Sequence, residues 1–379
     1  MKITFLVERP TQFEAPFFRF AARDPEHEFR VLFTGSEVAD PVYDPELGTS
    51  VSWGIDLLGG YHHDSCPGGE GLEERLRSGL RSGRCDLLIA NGYTQRAYRE
   101  GVRIARRAGI ATALRLDSVL WDGSPARNLA KRLLFATYMK RTYDLFLAVG
   151  SLTLEYLRAF GVPQERVGLF PYAVDVEAFR SQSALPARER QAVRQRLGVP
   201  PDARVVLSLA KFSSREAPWD LLRAFARLRR ETSEDLWLVL AGDGPERAAL
   251  EQAAGPRVRF PGYVPYPELP ALYAAADLFV HPAREERWGV SVQEALACGL
   301  PVVASSRVGA AYDLVEPGGN GSLYAAGNDT ELAGRIDKAL ALPAERVREV
   351  SRRILAQWDY AAAWRGLLET AGRAVRRVA

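Results

Sequence analysis

The sequence predicts an α/β protein built from two doubly wound, Rossmann-like domains, each an open parallel sheet with helices on both faces. Three observations carry this. Short apolar runs alternate with segments of helical period along the chain, as βα units require. The alternation breaks in a polar interval rich in Arg, Gln, Ala and Glu between Ser181 and Arg196, then restarts. The length, 379 residues, exceeds what one ordinary core holds.

In the first half, Ile3–Val7, Phe29–Phe33, Asp86–Ala90, Thr112–Leu116 and Asp144–Val149 read as strands. The last three are apolar through their middles, which suits parallel strands covered on both faces. Arg96–Ala108 and Ala126–Arg141 read as helices between them. Glu37–Gly71, rich in Gly, Pro, Asp and Tyr, reads as an irregular loop that shapes a binding pocket. The interval Ser181–Arg196 reads as a surface helix. Strands follow at Val205–Ala210, Leu236–Ala241, Val258–Phe260, Leu278–His281 and Pro301–Ala304. Helices are expected at Trp219–Glu231 and Glu246–Ala254, with another starting near Val290. The expected domains are therefore 1–175 and 176–358, with a last helical segment within 359–379.

Composition narrows the function classes. Apolar residues make up 47% of the chain, enough for two cores and too many for a disordered protein. The net charge of +3 gives no global field for nucleic acid. Cys66, Cys85 and Cys298 are widely spaced and odd in number, which suits a reducing compartment. The apolar run at the amino terminus is too short for a signal peptide, and no stretch approaches a membrane span of about 20 residues. A soluble, cytoplasmic protein is the expectation.

Three segments carry chemistry. Gly242-Asp-Gly244-Pro245 joins a strand to a helix, where glycine permits a sharp turn and free N–H groups face an anion. A tight turn without a ligand explains it equally well. His281-Pro-Ala-Arg-Glu-Glu286-Arg-Trp288-Gly289-Val290-Ser-Val-Gln-Glu294 is more specific. Its loop carries Glu286, Gly289 allows close backbone approach, and Glu294 is expected in the first turn of the next helix. A carboxylate there is favoured by the helix dipole, stays ionised, and accepts two hydrogen bonds from a vicinal diol such as a ribose. The third segment, Lys211-Phe-Ser-Ser-Arg215-Glu216-Ala-Pro-Trp219, follows a strand end, where ligands bind in such sheets. Lys211 or Arg215 there could neutralise a diphosphate leaving group, although a solvated loop charge is the plainer alternative.

Together these motifs resemble the retaining glycosyltransferases of family 4, which have the GT-B fold of two Rossmann-like domains facing across a cleft. The residues that carry the resemblance are Gly242–Pro245, the Glu286 to Glu294 element, the run Glu294-Ala-Leu-Ala-Cys-Gly-Leu-Pro-Val-Val303, and Pro317-Gly-Gly-Asn-Gly321. The match is good from Val205 to Leu342 and looser back to Phe170-Pro-Tyr-Ala-Val-Asp175. Val308-Gly309 is similar to the family's glycine turn near the donor diphosphate.

The resemblance implies a nucleotide diphosphate sugar as donor, an acceptor hydroxyl, no metal or other cofactor, and no obligate nucleophile. It implies that Glu286 binds donor-sugar hydroxyls and Glu294 the ribose diol. Trp288, Gly289 and Val290 would line the donor site, and Lys211 would hold the first basic position of the diphosphate pair. The second position falls on Glu216, a departure that puts the diphosphate grip in doubt unless Arg215 replaces it. It also implies that the last helix, Ala361–Val378, packs back on the first domain. The opening Pro10-Thr11-Gln12-Phe13 resembles a subgroup of these enzymes, with Thr11 and Gln12 on the acceptor side.

Arg115 and Asp117, at the end of Thr112–Leu116, are candidates for catalytic contacts, with a structural Arg–Asp pair as the alternative. Asn91 is placed alike at its own strand end. The rivals to a transferase are a non-catalytic nucleotide-sugar binder and an epimerase on the same fold. The products expected of a transferase are glycans, lipid-linked saccharides or natural-product glycosides.

Two further signals weigh less. Tyr61-His-His-Asp-Ser-Cys66 collects metal-ligand types without a second cluster at zinc spacing, and the chain has no Asp-x-Asp motif. The basic segment Arg127–Arg141 reads first as a core-facing helix with a charged outer face. The alternative is a basic amphipathic helix touching the inner face of a membrane at its periphery.

Overall fold

The computed structural model describes residues 1–35, 41–44, 49–81, 85–121 and 124–378. The strands of the first half are β1 (Lys2–Val7), β2 (Glu28–Phe33), β3 (Val42–Asp44), β4 (Thr49–Val51), β5 (His62–Ser65), β6 (Leu87–Ala90), β7 (Ala111–Leu116), β8 (Leu145–Ala148) and β9 (Val167–Leu169). Those of the second half are β10 (Arg204–Leu209), β11 (Leu236–Ala241), β12 (Val258–Gly262), β13 (Leu278–His281), β14 (Val302–Ser305) and β15 (Gly321–Tyr324). They form a seven-stranded sheet in the order β5-β2-β1-β6-β7-β8-β9 and a six-stranded sheet in the order β12-β11-β10-β13-β14-β15. Neighbouring strands run parallel in both sheets. Helices intervene along the chain, so each sheet is doubly wound, as the sequence predicts.

The continuous apolar runs have a direct cause. Along β1, Ile3, Phe5 and Val7 enter one buried cluster and Leu6 enters another. Strand β2 divides likewise, Phe29, Val31 and Phe33 on one side and Leu32 on the other. Successive side chains point to opposite faces, and both faces are covered, so a polar alternation would strand polar groups in two cores.

The chain divides into two compact units. One comprises Met1–Val42, Asp56–Val174 and Trp358–Ala379, the other Tyr43–Ile55 and Asp175–Gln357. The last helix, Tyr360–Val378, belongs to the first unit. Its residues Tyr360, Ala363, Trp364, Leu367, Ala371 and Ala374 recur at helical spacing and are buried against the β1 and β2 aromatics. Trp364 meets Phe29 edge-on with ring centres 5.7 Å apart and donates Nε1–H to Asp24 Oδ2 at 2.6 Å.

The structure corrects two readings. Glu37–Gly71 is not one irregular loop: it contains β3 and β4, which pair with each other, and β5, the edge strand of the first sheet. Residues 36–40 and 45–48 of that segment lie outside the described residues. The Tyr43–Ile55 part joins the second unit, where Tyr266 N–H donates to the Trp53 carbonyl at 3.2 Å and Trp53 meets Tyr263. Strand β5 reads His-His-Asp-Ser and is largely solvent-facing, so it carries no apolar pattern. The second correction concerns Ala126–Arg141. It is a helix over Pro125–Leu134, a π-turn over Phe135–Met139 and a short helical end at Lys140–Thr142, and the first of these buries no residue. Only its π-turn faces the core, through Phe135 and Met139; the helix Pro125–Leu134 does not.

Removing the Trp364 side chain leaves a hole beneath the first sheet. Trp364→Ala is expected to cost about 3–5 kcal/mol of stability. Urea unfolding checks this, and an unmoved midpoint would mean that the last helix is not part of the core.

Candidate functional site

In an open parallel sheet, ligands bind beyond the carboxyl ends of the strands where the strand order reverses. In the second sheet that point lies between β10 and β13. The loop after β10 carries Lys211, Arg215 and Glu216, and the loop after β13 carries Glu286. The topology thus brings two of the three sequence motifs to one end of one sheet. The third, Gly242–Pro245, follows the adjacent β11 and is tied to the first: Phe212 N–H donates to the Asp243 carbonyl at 2.8 Å, and Glu246 N–H to the Phe212 carbonyl at 3.1 Å. A Cβ on Gly242 would stand 1.9 Å from the Ala210 carbonyl oxygen, and one on Gly244 2.7 Å from Phe212 backbone. Close packing of the two strand ends therefore accounts for these glycines without a ligand.

Glu286 is fixed through its backbone. Its N–H donates to the Arg307 carbonyl at 2.8 Å, and its own carbonyl accepts from Gly309 N–H at 2.9 Å. Glu286 and Val308 thus form a one-residue parallel bridge between the loops after β13 and β14. Ala310 N–H continues it by donating to the Trp288 carbonyl at 2.8 Å. A Cβ on Gly309 would fall 1.9 Å from the Arg287 carbonyl oxygen, so only glycine lets the loops cross. Trp288 is buried, and its N–H lies 3.2 Å from Glu286 Oε1. Gly289, at φ 98°, precedes Val290, the first residue of the helix Val290–Ala297. The loop that carries Glu286 thus leads directly into a helix start, where backbone N–H groups point toward a ligand.

Glu294 differs from its expected state. It is the fifth residue of the helix, in the second turn, so it gains little from the helix dipole. It is buried, and its Oε2 accepts from the Tyr273 hydroxyl at 2.8 Å. Burial pushes its carboxyl up to about 7, partly offset by that hydrogen bond. Glu294 is therefore not uniformly ionised at neutral pH. Burial of the Tyr273 phenol, and then the Glu294 charge, raise it well above its ordinary value.

The loop after β10 joins that after β13 in a tight ionic cluster. Arg215 Nη2 lies 2.7 Å from Glu216 Oε1, and its Nη1 lies 3.6 Å from Glu286 Oε2. Glu216 is buried, and Lys211 is half-buried in the same loop. His281, at the end of β13, is buried with no hydrogen-bond partner at Nδ1. Burial, reinforced by the Arg215 charge, lowers it to about 4, so it is neutral at pH 7. Ligand atoms of Glu216, His281 and Glu286 lie within 4.8 Å of one another, a set of metal-ligating types. The Arg215 guanidinium already supplies a cation to both carboxylates. Ala217 has φ 52°, and among the described residues it is the one non-glycine with positive φ. That conformation costs about 1 kcal/mol and marks the turn that aims Glu216 inward.

In the first unit, Arg115 is not available to a substrate. It is buried, with Nη1 2.9 Å from Glu14 Oε1, Nη2 donating to the Pro171 carbonyl at 2.8 Å and Nε to the Phe170 carbonyl at 3.3 Å. Its plane also lies over the rings of Tyr172 and Phe170. Its structural partner is Glu14, not Asp117, and burial raises the Glu14 carboxyl despite that pairing. Thr11 and Glu14 pair reciprocally at the start of the helix Glu14–Ala21, with Thr11 Oγ1 donating to Glu14 Oε2 and accepting from Glu14 N–H, both at 3.2 Å. Asp117, Gln12 and Asn91 are half-buried at or just beyond strand ends, and Asn91 N–H donates to the Leu6 carbonyl at 3.0 Å. Glu8 and Asn91 follow β1 and β6, the reversal point of the first sheet.

Sequence reasoning missed three participants: His281 as a buried neutral ring, Tyr273 on Glu294, and Asp220. Asp220 is buried and accepts from Arg284 Nε at 3.0 Å and Nη2 at 2.9 Å, tying the helix Pro218–Glu231 to the loop after β13. The first two lie in apolar runs and the third in a helix start, where nothing local marks them.

Residues 189–354 match the model of the glycosyl transferases group 1. A GDP-mannose-dependent alpha-mannosyltransferase of Mycobacterium tuberculosis is 33% identical over 245 residues, 64% of this chain and 60% of that protein. A D-inositol 3-phosphate glycosyltransferase of Thermobispora bispora is 35% identical over 52% of this chain and 49% of its own length. A 2-deoxystreptamine glucosyltransferase of Streptomyces kanamyceticus is 32% identical, over 50% of this chain and 49% of its own length. The chain spans about half the length of the curated relatives it matches. The solved structure of HepE from Anabaena with UDP superposes at a TM-score of 0.75, with 20% identity, over 98% of this chain and all of that one. A glycosyltransferase of Rickettsia africae superposes at 0.76 with 11% identity over 99% of each chain. The two parallel sheets are those of the GT-B fold, and the segment that matches the glycosyl transferases group 1 model, 189–354, holds Glu286, Glu294 and the Val308-Gly309 crossing.

Proposed function

We propose that the protein is a retaining glycosyltransferase that moves a sugar from a nucleotide diphosphate sugar to an acceptor hydroxyl. The observation that carries this is the Glu286–Val308 bridge. It sets a half-buried carboxylate in the loop that leads into the Val290 helix start, at the reversal point of the second sheet. In this reading Glu286 accepts hydroxyls of the donor sugar, and Trp288, Gly289 and Val290 line that pocket. Glu294, when ionised, accepts both ribose hydroxyls. The N–H groups near Val290 and Gly309, with Lys211, take the charge that grows on the leaving diphosphate. The leaving phosphate oxygen receives the acceptor proton, so retention needs no protein nucleophile. Gln12, Asn91 and Asp117 are assigned to the acceptor side. The Pro10–Phe13 opening supports placement in the subgroup that carries it, with Thr11 holding the helix that follows.

Relatives named for GDP-mannose, and a solved structure holding UDP-glucose, support a nucleotide sugar as donor. The Arg215–Glu216 pair favours one alternative, a nucleotide-sugar binder without turnover, because a buried carboxylate opposes a diphosphate.

A panel of nucleotide sugars, assayed for nucleoside diphosphate release and for donor-induced thermal shift, separates these. Release supports transfer, shift without release supports the binder, and neither removes both. Glu286→Ala keeps the backbone bridge, so it is expected to fold normally and lose at least about a hundredfold in turnover. Wild-type turnover in that variant would remove Glu286 from the site. Glu216→Gln removes the opposing charge and frees Arg215. Nucleoside diphosphate affinity by calorimetry should tighten about tenfold, and unchanged or weaker binding would show that Glu216 instead positions Arg215.

The Glu294 titration gives a pH signature. Its folded pKa lies above the unfolded value, so the empty protein loses stability as pH rises through about 7. Ribose binding requires the ionised form and runs the opposite way. Nucleoside diphosphate affinity should weaken about tenfold from pH 8 to pH 6. Glu294→Gln should bind weakly and flatten that profile, whereas a slope equal to the wild type would assign the titration elsewhere.

A further inference from the structure

The helix Pro125–Leu134 is built inside out. Its start is well formed: Pro125 occupies the first turn and Ser124 Oγ accepts from Arg127 N–H at 3.3 Å. Yet none of its residues is buried. The side turned toward the protein carries half-buried Asn128, Lys131 and Leu134, with Lys131 Nζ 5.1 Å from the centre of the Tyr156 ring. Leu129 and Leu133, one turn apart on the other side, are 60% and 58% exposed. Among the described residues, Leu120, Leu129, Leu133, Tyr138 and Tyr312 are the large apolar side chains left exposed, and four of these five lie in this one stretch. Buried Phe135 and Met139 in the following π-turn anchor it to the first unit, so the exposed leucines sit on a rigid base.

The charge around the leucines has one sign. Arg127, Arg132 and Arg141 are exposed, Lys131 and Lys140 half-buried, and no Asp or Glu occurs from Ser124 to Tyr143. Water-facing leucines gain nothing in an isolated chain, and a ring of cations opposes pairing with a second copy of itself. A surface with negative charge outside and hydrocarbon beneath satisfies both features at once.

We propose that Leu129, Leu133 and Tyr138, with the exposed Arg127, Arg132 and Arg141 of the same segment, form a docking face for an anionic lipid bilayer surface. The leucines enter the boundary between headgroups and acyl chains, and the arginines remain among lipid phosphates.

Vesicle sedimentation of the full chain tests this, using phosphatidylcholine alone and phosphatidylcholine mixed with phosphatidylglycerol. The protein should pellet with the mixed vesicles and not with phosphatidylcholine alone, and added salt should weaken binding. Leu129→Ser combined with Leu133→Ser should lower the partition coefficient at least about tenfold with an unchanged thermal midpoint, because neither side chain is packed. Arg127→Glu combined with Arg132→Glu should abolish the preference for the mixed vesicles. The proposal is overturned by no binding, by equal binding to both vesicles, by an unaffected double-serine variant, or by light scattering that shows a dimer dissolved by the serine substitutions.

Discussion

A single pair of backbone hydrogen bonds, Glu286 N–H to the Arg307 carbonyl and Gly309 N–H to the Glu286 carbonyl, organises the carboxyl end of the second sheet. It joins the loops after β13 and β14 beyond the edge of their strands. The Glu286 side chain, the start of the Val290 helix and the Gly309 turn all take their places from it. Backbone pairing is the right material for this. It fixes a loop without using the side chains that a ligand would need. The crossing also explains why Gly309 cannot be anything else, since a methyl group there would overlap the Arg287 carbonyl.

Most of the second unit was legible from local pattern. Strands β11 and β13 fall where the apolar runs place them, and Glu286 and Glu294 were selected by their spacing around Gly289. What was illegible has a common physical origin. Strand β5 pairs at a sheet edge, so hydrogen bonding alone defines it and hydropathy does not. The titration of Glu294 depends on Tyr273, 21 positions earlier, and on burial. Arg115 reads as a strand-end cation, but its fate is set by Glu14, 101 positions away. Sequence pattern reports which side chains a strand or helix presents; it does not report which distant carboxylate meets them. The Pro125–Leu134 helix failed for a different reason: a 3.6-residue period identifies an apolar face but not the direction in which that face points.

The electrostatics of the candidate site follow one theme. His281 is held neutral and Glu294 is drawn toward neutrality by burial, while Glu216 keeps a guanidinium alongside. Each is a way of limiting uncompensated charge in a poorly hydrated pocket. A ligand with its own charge must therefore re-partition these pairs on binding, and Arg215, bridging Glu216 and Glu286, is the group with most to exchange.

The last helix has a consequence for biosynthesis. Trp364, Leu367 and Ala371 complete the core that begins with Ile3 and Phe5, more than 350 positions earlier. The strands of the first unit precede those of the second in the chain, but that unit lacks one wall until the helix Tyr360–Val378 is made. The carboxy-terminal sheet, whose strands come from one continuous stretch, is free to fold before it. A chain cut before Tyr360 would keep every strand of the second sheet and expose an aromatic face on the first unit, which is the kind of surface that chaperones and proteases recognise.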